Sequence, residues 1–337
     1  MTMDIRFIRR HRDSLMLVIA GFLLYVVLGA VLGGRFFSVV NFQSMAIQMS
    51  VLGLLSLAMS LAMLSGGIDL SIVSIAAVAS IAGAYVMSGS LIPLSDGDDV
   101  LVTAIGIIVI VIVGVLCGAV NGVLVAWFSV PPILVTLATM IFFSGIALAV
   151  TNGNSVAVQA SSLSALSTAT LAGIPVAFII LVIAFALVAF VLRRRKLGRR
   201  IYLVGESVTS ARFSGVRTDV VKFWVYTVSG LLSGIAAVLM LASQNAAREG
   251  FGESYQLQAI LVAVLAGFDP DGGKGRAWNV LLAVIVLQSL QSAFSIFGYS
   301  PFAKTFVWGA MLLIVMVLNY YLGSGRMIVR RKTPQHQ

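Results

Sequence analysis

Asp69 is the residue whose chemistry most needs an explanation, because its carboxylate interrupts a long apolar stretch. An ionised carboxylate in such a place is destabilising unless it caps a helix, forms a pair or faces water. Leu70 and Ser71 open the next apolar run, whose orphan N–H groups and positive dipole end favour an anion. We interpret Asp69 first as a helix cap, second as a contact with a solute or gate, and third as part of a proton relay.

Side chains that could catalyse a reaction or bind a metal are not grouped in the sequence. His11 and His336 lie in the two tails, and Cys117 is the single cysteine. The serines have no histidine partner within the apolar runs. The Gly-Gly-Lys-Gly of residues 272–275 lacks the strand and the full spacing of a phosphate-binding loop. We expect no enzymatic activity, no cofactor and no metal site.

The composition predicts the setting in which these residues work. Of the 337 residues, 60% are hydrophobic and 10% are charged, and the mean hydropathy is +1.06. A soluble domain of this size needs far more charge on its surface. The net charge of +10 is explained by the preference of Lys and Arg for cytoplasmic loops, so nucleic-acid binding is not expected. The sequence predicts an all-α polytopic membrane protein.

Apolar runs separated by polar breaks predict about ten transmembrane helices. The eighth run is short, and its dozen residues would span only about 18 Å as a helix. The predicted spans are residues 15–33, 44–64, 70–89, 100–118, 133–151, 174–192, 222–243, 256–267, 277–296 and 303–322.

The basic residues predict that both termini are cytoplasmic. With ten spans, all 22 Lys and Arg except Arg35, Arg248 and Lys304 fall on the cytoplasmic side. If one of the ten spans were absent, either the basic cluster of residues 193–222 or the basic C-terminus would lie on the external side of the membrane. The expected organisation is one transmembrane domain, residues 1–337, with cytoplasmic tails at residues 1–14 and 323–337. The predicted cytoplasmic loops are residues 65–69, 127–132, 193–221 and 268–276.

Glycine-rich breaks divide the spans at several places. Residues 65–71 and 267–276 both end one apolar run and open another with glycines and carboxylates, a pattern typical of counterpart positions in a repeated transporter fold with broken helices. Gly118, Asn121 and Gly122 predict another break and close helix packing. Thr136 and Thr139 and other polar residues within spans could line a solute path or bond between helices, and interhelical bonding is favoured.

A set of motifs, in this order over residues 40–320, resembles the permease subunits of bacterial ATP-binding-cassette (ABC) importers for simple sugars. That family includes ribose, galactose, galactofuranose and autoinducer-2 permeases, and the branched-chain amino acid permeases are more distant relatives. The motifs are Gly66-Gly67-Ile68-Asp69-Leu70-Ser71, Asn121-Gly122-Val123-Leu124-Val125, Pro132-Ile133-Leu134-Val135-Thr136-Leu137-Ala138-Thr139-Met140, Thr151-Asn152-Gly153 and Ala211-Arg212-Phe213-Ser214-Gly215-Val216.

The resemblance implies partners and a location. The expected partners are cytoplasmic ABC ATPase subunits, a second permease copy or homologue, a periplasmic or lipid-anchored sugar-binding protein, and the lipid bilayer. The expected location is the bacterial inner (plasma) membrane, crossed many times. The resemblance also suggests a substrate path or gate at Gly66, Gly67, Asp69, Ser71, Asn121, Thr136 and Thr139.

The resemblance further implies that residues 205–216 form a short helix that docks on the ATPase. Gly205 and Gly215 would limit this helix, Ser207 would cap it, and Phe213 would be its apolar anchor. The chain has Val208 and Thr209 where the family often has acidic residues. A basic helix lying on anionic lipid is the alternative. The coupling residues implied are Gly205, Glu206, Ser207, Ala211, Arg212, Phe213 and Gly215.

The expected function is a permease subunit that forms the path for a simple sugar and alternates access when partner subunits hydrolyse ATP. A neutral sugar is preferred because no Lys or Arg within a span offers a clamp for a carboxylate. The alternatives are an ion- or proton-coupled secondary transporter, and an ABC permease for a branched-chain amino acid or autoinducer-2. The sequence does not name the solute.

Overall fold

The structure, a computed structural model, describes residues 5–89 and 99–330, and helices dominate these residues. Two antiparallel pairs of two-residue strands are present, β1 (Val156–Ala157) with β4 (Ala246–Ala247) and β2 (Thr170–Leu171) with β3 (Ile174–Pro175). A short 3-10 helix covers Gly33–Arg35. The α-helices are α1 Ile5–Leu32, α2 Val39–Leu64, α3 Ile72–Met87, α4 Asp99–Ala126, α5 Pro132–Thr151, α6 Ser161–Thr168, α7 Val176–Arg194, α8 Lys196–Glu206, α9 Val208–Phe213, α10 Thr218–Gln244, α11 Glu253–Leu265, α12 Ala277–Ile296 and α13 Pro301–Arg330.

The described helices confirm the prediction of an all-α polytopic membrane protein. Eight of them are long and apolar enough to cross a membrane. The other two predicted spans coincide with α3, of 16 residues, and α11, of 13 residues. A 13-residue helix rises only about 20 Å, against a hydrocarbon core of about 30 Å. The predicted short eighth span is therefore a short helix that ends in a glycine-rich turn.

Helices α2 and α10 form the centre of the bundle. In the most hydrophobic part of each helix, 89% of the residues of α2 and 83% of those of α10 are buried inside the protein. Helix α10 packs along α4 through small residues: a Cβ added at Gly118 would lie 2.7 Å from the Cα of Gly230. The predicted break that starts at Gly118 begins later than expected, because α4 continues to Ala126 and the chain leaves the helix only between Ala126 and Pro132. These glycines serve close packing between helices.

The predicted cytoplasmic loops meet at one end of the bundle. Gly67 lies against Pro132, since a Cβ on the glycine would be 2.7 Å from the Cβ of the proline. Gly66 faces the backbone of both Gly205 and Asp271. Loops 65–69, 127–132, 193–221 and 268–276 therefore share one side, as ten spans require. Residues 1–4 and 331–337 of the predicted tails, and residues 90–98 between α3 and α4, lie outside the described residues.

Candidate functional site

The break between α2 and α3 is shaped by two glycines. The N–H groups of Gly66 and Gly67 donate to the carbonyls of Met63 and Ala62 at 3.0 and 3.1 Å, which closes the end of α2. Gly66 has a φ of +86°, which glycine adopts without a steric penalty. A Cβ at Gly67 would lie 2.5 Å from the hydroxyl of Tyr226. The predicted helix break is therefore present and depends on both glycines.

The carboxylate of Asp69 is fully buried directly after this break. Its Oδ1 accepts hydrogen bonds from the N–H and the hydroxyl of Ser71, at 3.1 and 2.6 Å. Its Oδ2 accepts one from the hydroxyl of Ser229 on α10, at 2.7 Å. Ser71 is the N-cap residue of α3, and no described side chain caps the first turn of this helix. Asp69 accepts from the N–H of the N-cap residue itself rather than from an N–H within α3, so it stabilises the entry to the helix without occupying the predicted cap position. These three hydrogen-bond donors satisfy the carboxylate of Asp69, which belongs to none of the described ion pairs.

Other residues of the suggested path or gate support this arrangement from neighbouring helices. The side-chain amide of Asn121 on α4 donates to the hydroxyl of Ser71 at 2.7 Å. The hydroxyl of Thr136 on α5 donates to the carbonyl of Ile68 at 2.8 Å. Thr139 is buried and donates to the carbonyl of Thr136 at 3.4 Å. These side chains link α3, α4, α5 and α10 around the break, and the Asn121 Oδ1 and Tyr226 hydroxyl have no hydrogen-bond partner among the described residues.

A mainly apolar cavity with five polar side chains, which we call the polar cavity and which the sequence did not single out, lies beside this network. Its volume is about 570 Å³, and α3, α5, α11 and the residues before α11 line it. Ser74 connects it to the break, because its hydroxyl donates to the carbonyl of Ser71 at 2.9 Å. Both polar atoms of the Gln256 amide are buried without a hydrogen-bond partner among the described residues. The other polar side chains lining the cavity are Ser144, Glu249 and Glu253.

The polar groups of the cavity lining are hydroxyls, one amide and two carboxylates. None of its lining residues is Lys or Arg, and the unpartnered amide of Gln256 can both donate and accept a hydrogen bond. The sequence offered a weak signal for these residues, since Glu253 lies three positions before Gln256, the first residue of the predicted eighth span. Such spacing brings side chains to one face of a helix. The predicted path residues do not line this cavity.

The basic loop at residues 193–221 contains two helices, α8 and α9, and α9 lies within the short helix predicted for residues 205–216. Ser207 caps α9, as predicted, by accepting a hydrogen bond from the N–H of Ser210 at 3.2 Å. Gly215 ends the segment with a φ of +76°. Gly205 is not a helix limit, because α8 continues through it to Glu206. Glycine is needed there for a close backbone contact, since an added Cβ would lie 2.5 Å from the N of Gly273 and nearer still to the carbonyl of Leu64.

Helix α9 presents one aromatic ring to solvent while its other side is held by the protein. Phe213 is 90% exposed, whereas Ala211 is buried. The guanidinium of Arg212 contacts Asp219 at 3.1 Å and the hydroxyl of Thr218 at 3.0 Å, both at the start of α10, while its side chain is 59% exposed. Arg212 therefore fixes the orientation of α9, and Phe213 projects away from the bundle. Glu206 is also exposed.

Gly66, Gly205, Gly272 and Gly273 form a contact that we call the glycine junction. The N–H of Gly273 donates to the carbonyl of Leu64 at 3.1 Å, and a Cβ on Gly272 would lie 2.8 Å from the Cα of Gly66. The hydroxyl of Tyr202 on α8 donates to the carbonyl of Gly275 at 2.8 Å. The two glycine-rich loops thus touch each other and the end of α8.

An ion pair stiffens the loop that contributes Gly272 and Gly273. Lys274 Nζ lies 2.7 Å from Asp269 Oδ2, and the N–H of Asp271 donates to Oδ1 at 3.1 Å. Partial burial alone would raise the pKa of Asp269, but these hydrogen bonds and the charge of Lys274 outweigh it and lower that pKa. The carboxylate therefore stays ionised and holds the turn closed.

The family described as "Branched-chain amino acid transport system / permease component" matches residues 41–316. The chain belongs to this permease family. The ribose import permease protein RbsC of Bacillus subtilis (strain 168) is 31% identical to this permease over 92% of the chain and 95% of the relative. The D-allose transport system permease protein AlsC of Escherichia coli (strain K12) is 29% identical over 88% of each.

A third relative, the autoinducer 2 import system permease protein LsrD of Yersinia enterocolitica, is 31% identical over 79% of each chain. No solved structure gives a significant match. These relatives are permease subunits rather than enzymes. The protein is a multi-pass permease subunit of the bacterial inner membrane that contributes to a translocation path. The resemblance found in the sequence motifs is confirmed.

Proposed function

We propose that this permease forms half of the path for a simple sugar and that partner ATPase subunits drive it through α9. The observation that carries the proposal is the glycine junction, which joins the segment bearing the exposed Phe213 to the break that holds Asp69. A force on α9 reaches this break through backbone contacts, with no flexible side chain between them. Movement there would also shift Ser74 and the polar cavity, which supports alternation between outward and inward access.

The sugar assignment rests on the cavity and on the relatives. Two of the relatives are named for ribose and allose, and hydroxyl-rich solutes need donors and acceptors such as those of Gln256 and Ser144. A branched-chain amino acid carries a carboxylate, for which the cavity lining provides no Lys or Arg.

The docking role of α9 is tested by Phe213→Ala in the complete importer with its ATPase and binding protein. An exposed aromatic anchor contributes strongly to binding, so uptake and stimulated ATPase activity should both fall about tenfold or more. Phe302→Ala is the matched control, because Phe302 is 86% exposed at the opposite end of the bundle. Wild-type uptake in the Phe213 variant would contradict the docking role.

The cavity is tested by Gln256→Leu, which keeps the size of the side chain and removes its hydrogen bonds. Loss of a bond to an uncharged solute should reduce uptake about three- to tenfold. Gln244→Leu serves as control, because Gln244 is exposed and does not line the cavity. Labelled ribose, allose and leucine are compared, and uptake of leucine but not of either sugar would refute the sugar assignment.

Dependence on a separate ATPase distinguishes the proposal from a secondary transporter. The purified permease alone in liposomes should show no uptake under a proton or sodium gradient. Addition of the ATPase subunits, ATP and the binding protein should then produce uptake of the solute. Gradient-driven uptake by the chain alone would establish the secondary-transporter alternative instead.

A further inference from the structure

An apolar groove of about 390 Å³ runs between α7 and α10, with α2 at its floor and α8 across one end. Every residue lining it is aliphatic except Trp224. Ile183 and Leu187 are more than half exposed along its open side. The groove is therefore accessible from the surface that faces the hydrocarbon of the membrane.

The length of the groove matches one leaflet. Its α7 wall extends from Ile180 to Leu192, about 18 Å at the helical rise of 1.5 Å per residue. Half of the hydrocarbon core is about 15 Å thick. Trp224 is 46% exposed at the α8 end, and tryptophan prefers the membrane–water interface. One acyl chain would fill the groove with its headgroup at α8.

The α8 end of the groove carries a dense positive charge. Helix α7 ends in two arginines, and α8 continues the basic run while Leu197 and Ile201 close the groove. None of these cations belongs to a described ion pair, and the first carboxylate after them is Glu206. The exposed cations are Arg193, Arg194, Arg195, Lys196, Arg199 and Arg200.

We propose that the groove binds one anionic phospholipid, with an acyl chain between α7 and α10 and the phosphate beside Arg193 and Arg194. Charge complementarity favours this occupant over a second copy of the chain. A symmetric contact through this face would bring two clusters of unpaired cations together, which is unfavourable. The bound lipid connects α7 and α10 to α8, the helix that ends at the glycine junction.

The test uses the full chain purified into nanodiscs of phosphatidylcholine with or without phosphatidylglycerol. Native mass spectrometry should detect one retained phosphatidylglycerol, and the apparent unfolding temperature should rise with its concentration. Each cation near the surface strengthens anionic-lipid binding about fivefold, so R193Q/R194Q should weaken retention about 25-fold. Ile183→Trp, which fills the groove from its exposed wall, should weaken retention while leaving the cations in place.

Two controls make the proposal falsifiable. R248Q/K304Q removes the same net charge at the predicted outer side and should leave retention unchanged. Equal loss in both double variants, or unchanged retention in R193Q/R194Q, would overturn the site. A second copy of the chain is the other possible occupant of the groove, and Ile183→Cys in a Cys117→Ser background tests it. A disulfide between two copies at this position would show that the groove is an interface and would overturn the lipid site.

Discussion

Asp69 illustrates how a buried carboxylate is stabilised within a membrane protein by neutral donors. Hydrogen bonds to an ionised group are stronger than those between neutral groups, and the carboxylate receives three from Ser71 and Ser229. The sequence identified Asp69 and Ser71 because they are adjacent to the glycine break. It did not identify Ser229, since nothing local reveals a partner 160 positions away.

Ser229→Ala should lower the free energy of unfolding by about 1–3 kcal/mol, because Oδ2 of Asp69 would lose its partner in a buried site. Thermal or denaturant unfolding of the purified chain measures this change. Ser243→Ala is the control in the same helix, since Ser243 is exposed and its hydroxyl bonds to the carbonyl of Met240. Equal destabilisation by both substitutions would contradict the role given to Ser229.

The glycine junction shows what can and cannot be predicted for a single element. Glycine-rich composition predicted breaks at residues 65–71 and 267–276, because backbone conformation there is a local property. Contact between these loops and α8 depends on tertiary packing, so the sequence placed Gly205 at a helix limit instead. Ser207 gave the local signal for the start of α9 and was predicted as its cap, whereas α8 was not predicted.

Gly205→Ala should force the backbones at the junction apart, because the new methyl group would meet the carbonyl of Leu64. Uptake in the complete importer should fall about tenfold or more through a misplaced α9, or the chain should unfold at lower temperature. Gly309→Ala is the control, since an added Cβ meets no atom within 4 Å there. An active, stable Gly205→Ala variant would refute the mechanical role of the junction.

For the whole molecule, hydropathy was sufficient to locate the ten helices that occupy the predicted spans, because apolar length is imposed by the bilayer itself. The polar cavity was not predictable in the same way. Ser74, Ser144 and Gln256 come from three helices, and their neighbourhood exists only after those helices pack. The small elements α6, β1, β2 and β4 lie in connections between the predicted spans, where hydropathy carries little information.

The ten-span topology predicts opposite labelling of two single cysteines in a Cys117→Ser background. Ser214→Cys should react with a membrane-impermeant thiol reagent only from the cytoplasmic side, whereas Ser300→Cys should react only from outside. Both positions are exposed. Right-side-out and inverted membrane vesicles provide the comparison. Labelling of both cysteines from the same side would require an even number of spans between them, instead of the three predicted.

The Asp69–Ser229 hydrogen bond has a consequence for biosynthesis. The chain is made from its N-terminus, and at roughly 5–20 residues per second the ribosome needs roughly 8–32 s to advance from the aspartate to the serine. During this interval Ser71 is present but the donor for Oδ2 has not been synthesised. A nascent chain that stops before α10 retains an unsatisfied carboxylate, which chemically distinguishes incomplete permeases from finished ones during membrane insertion.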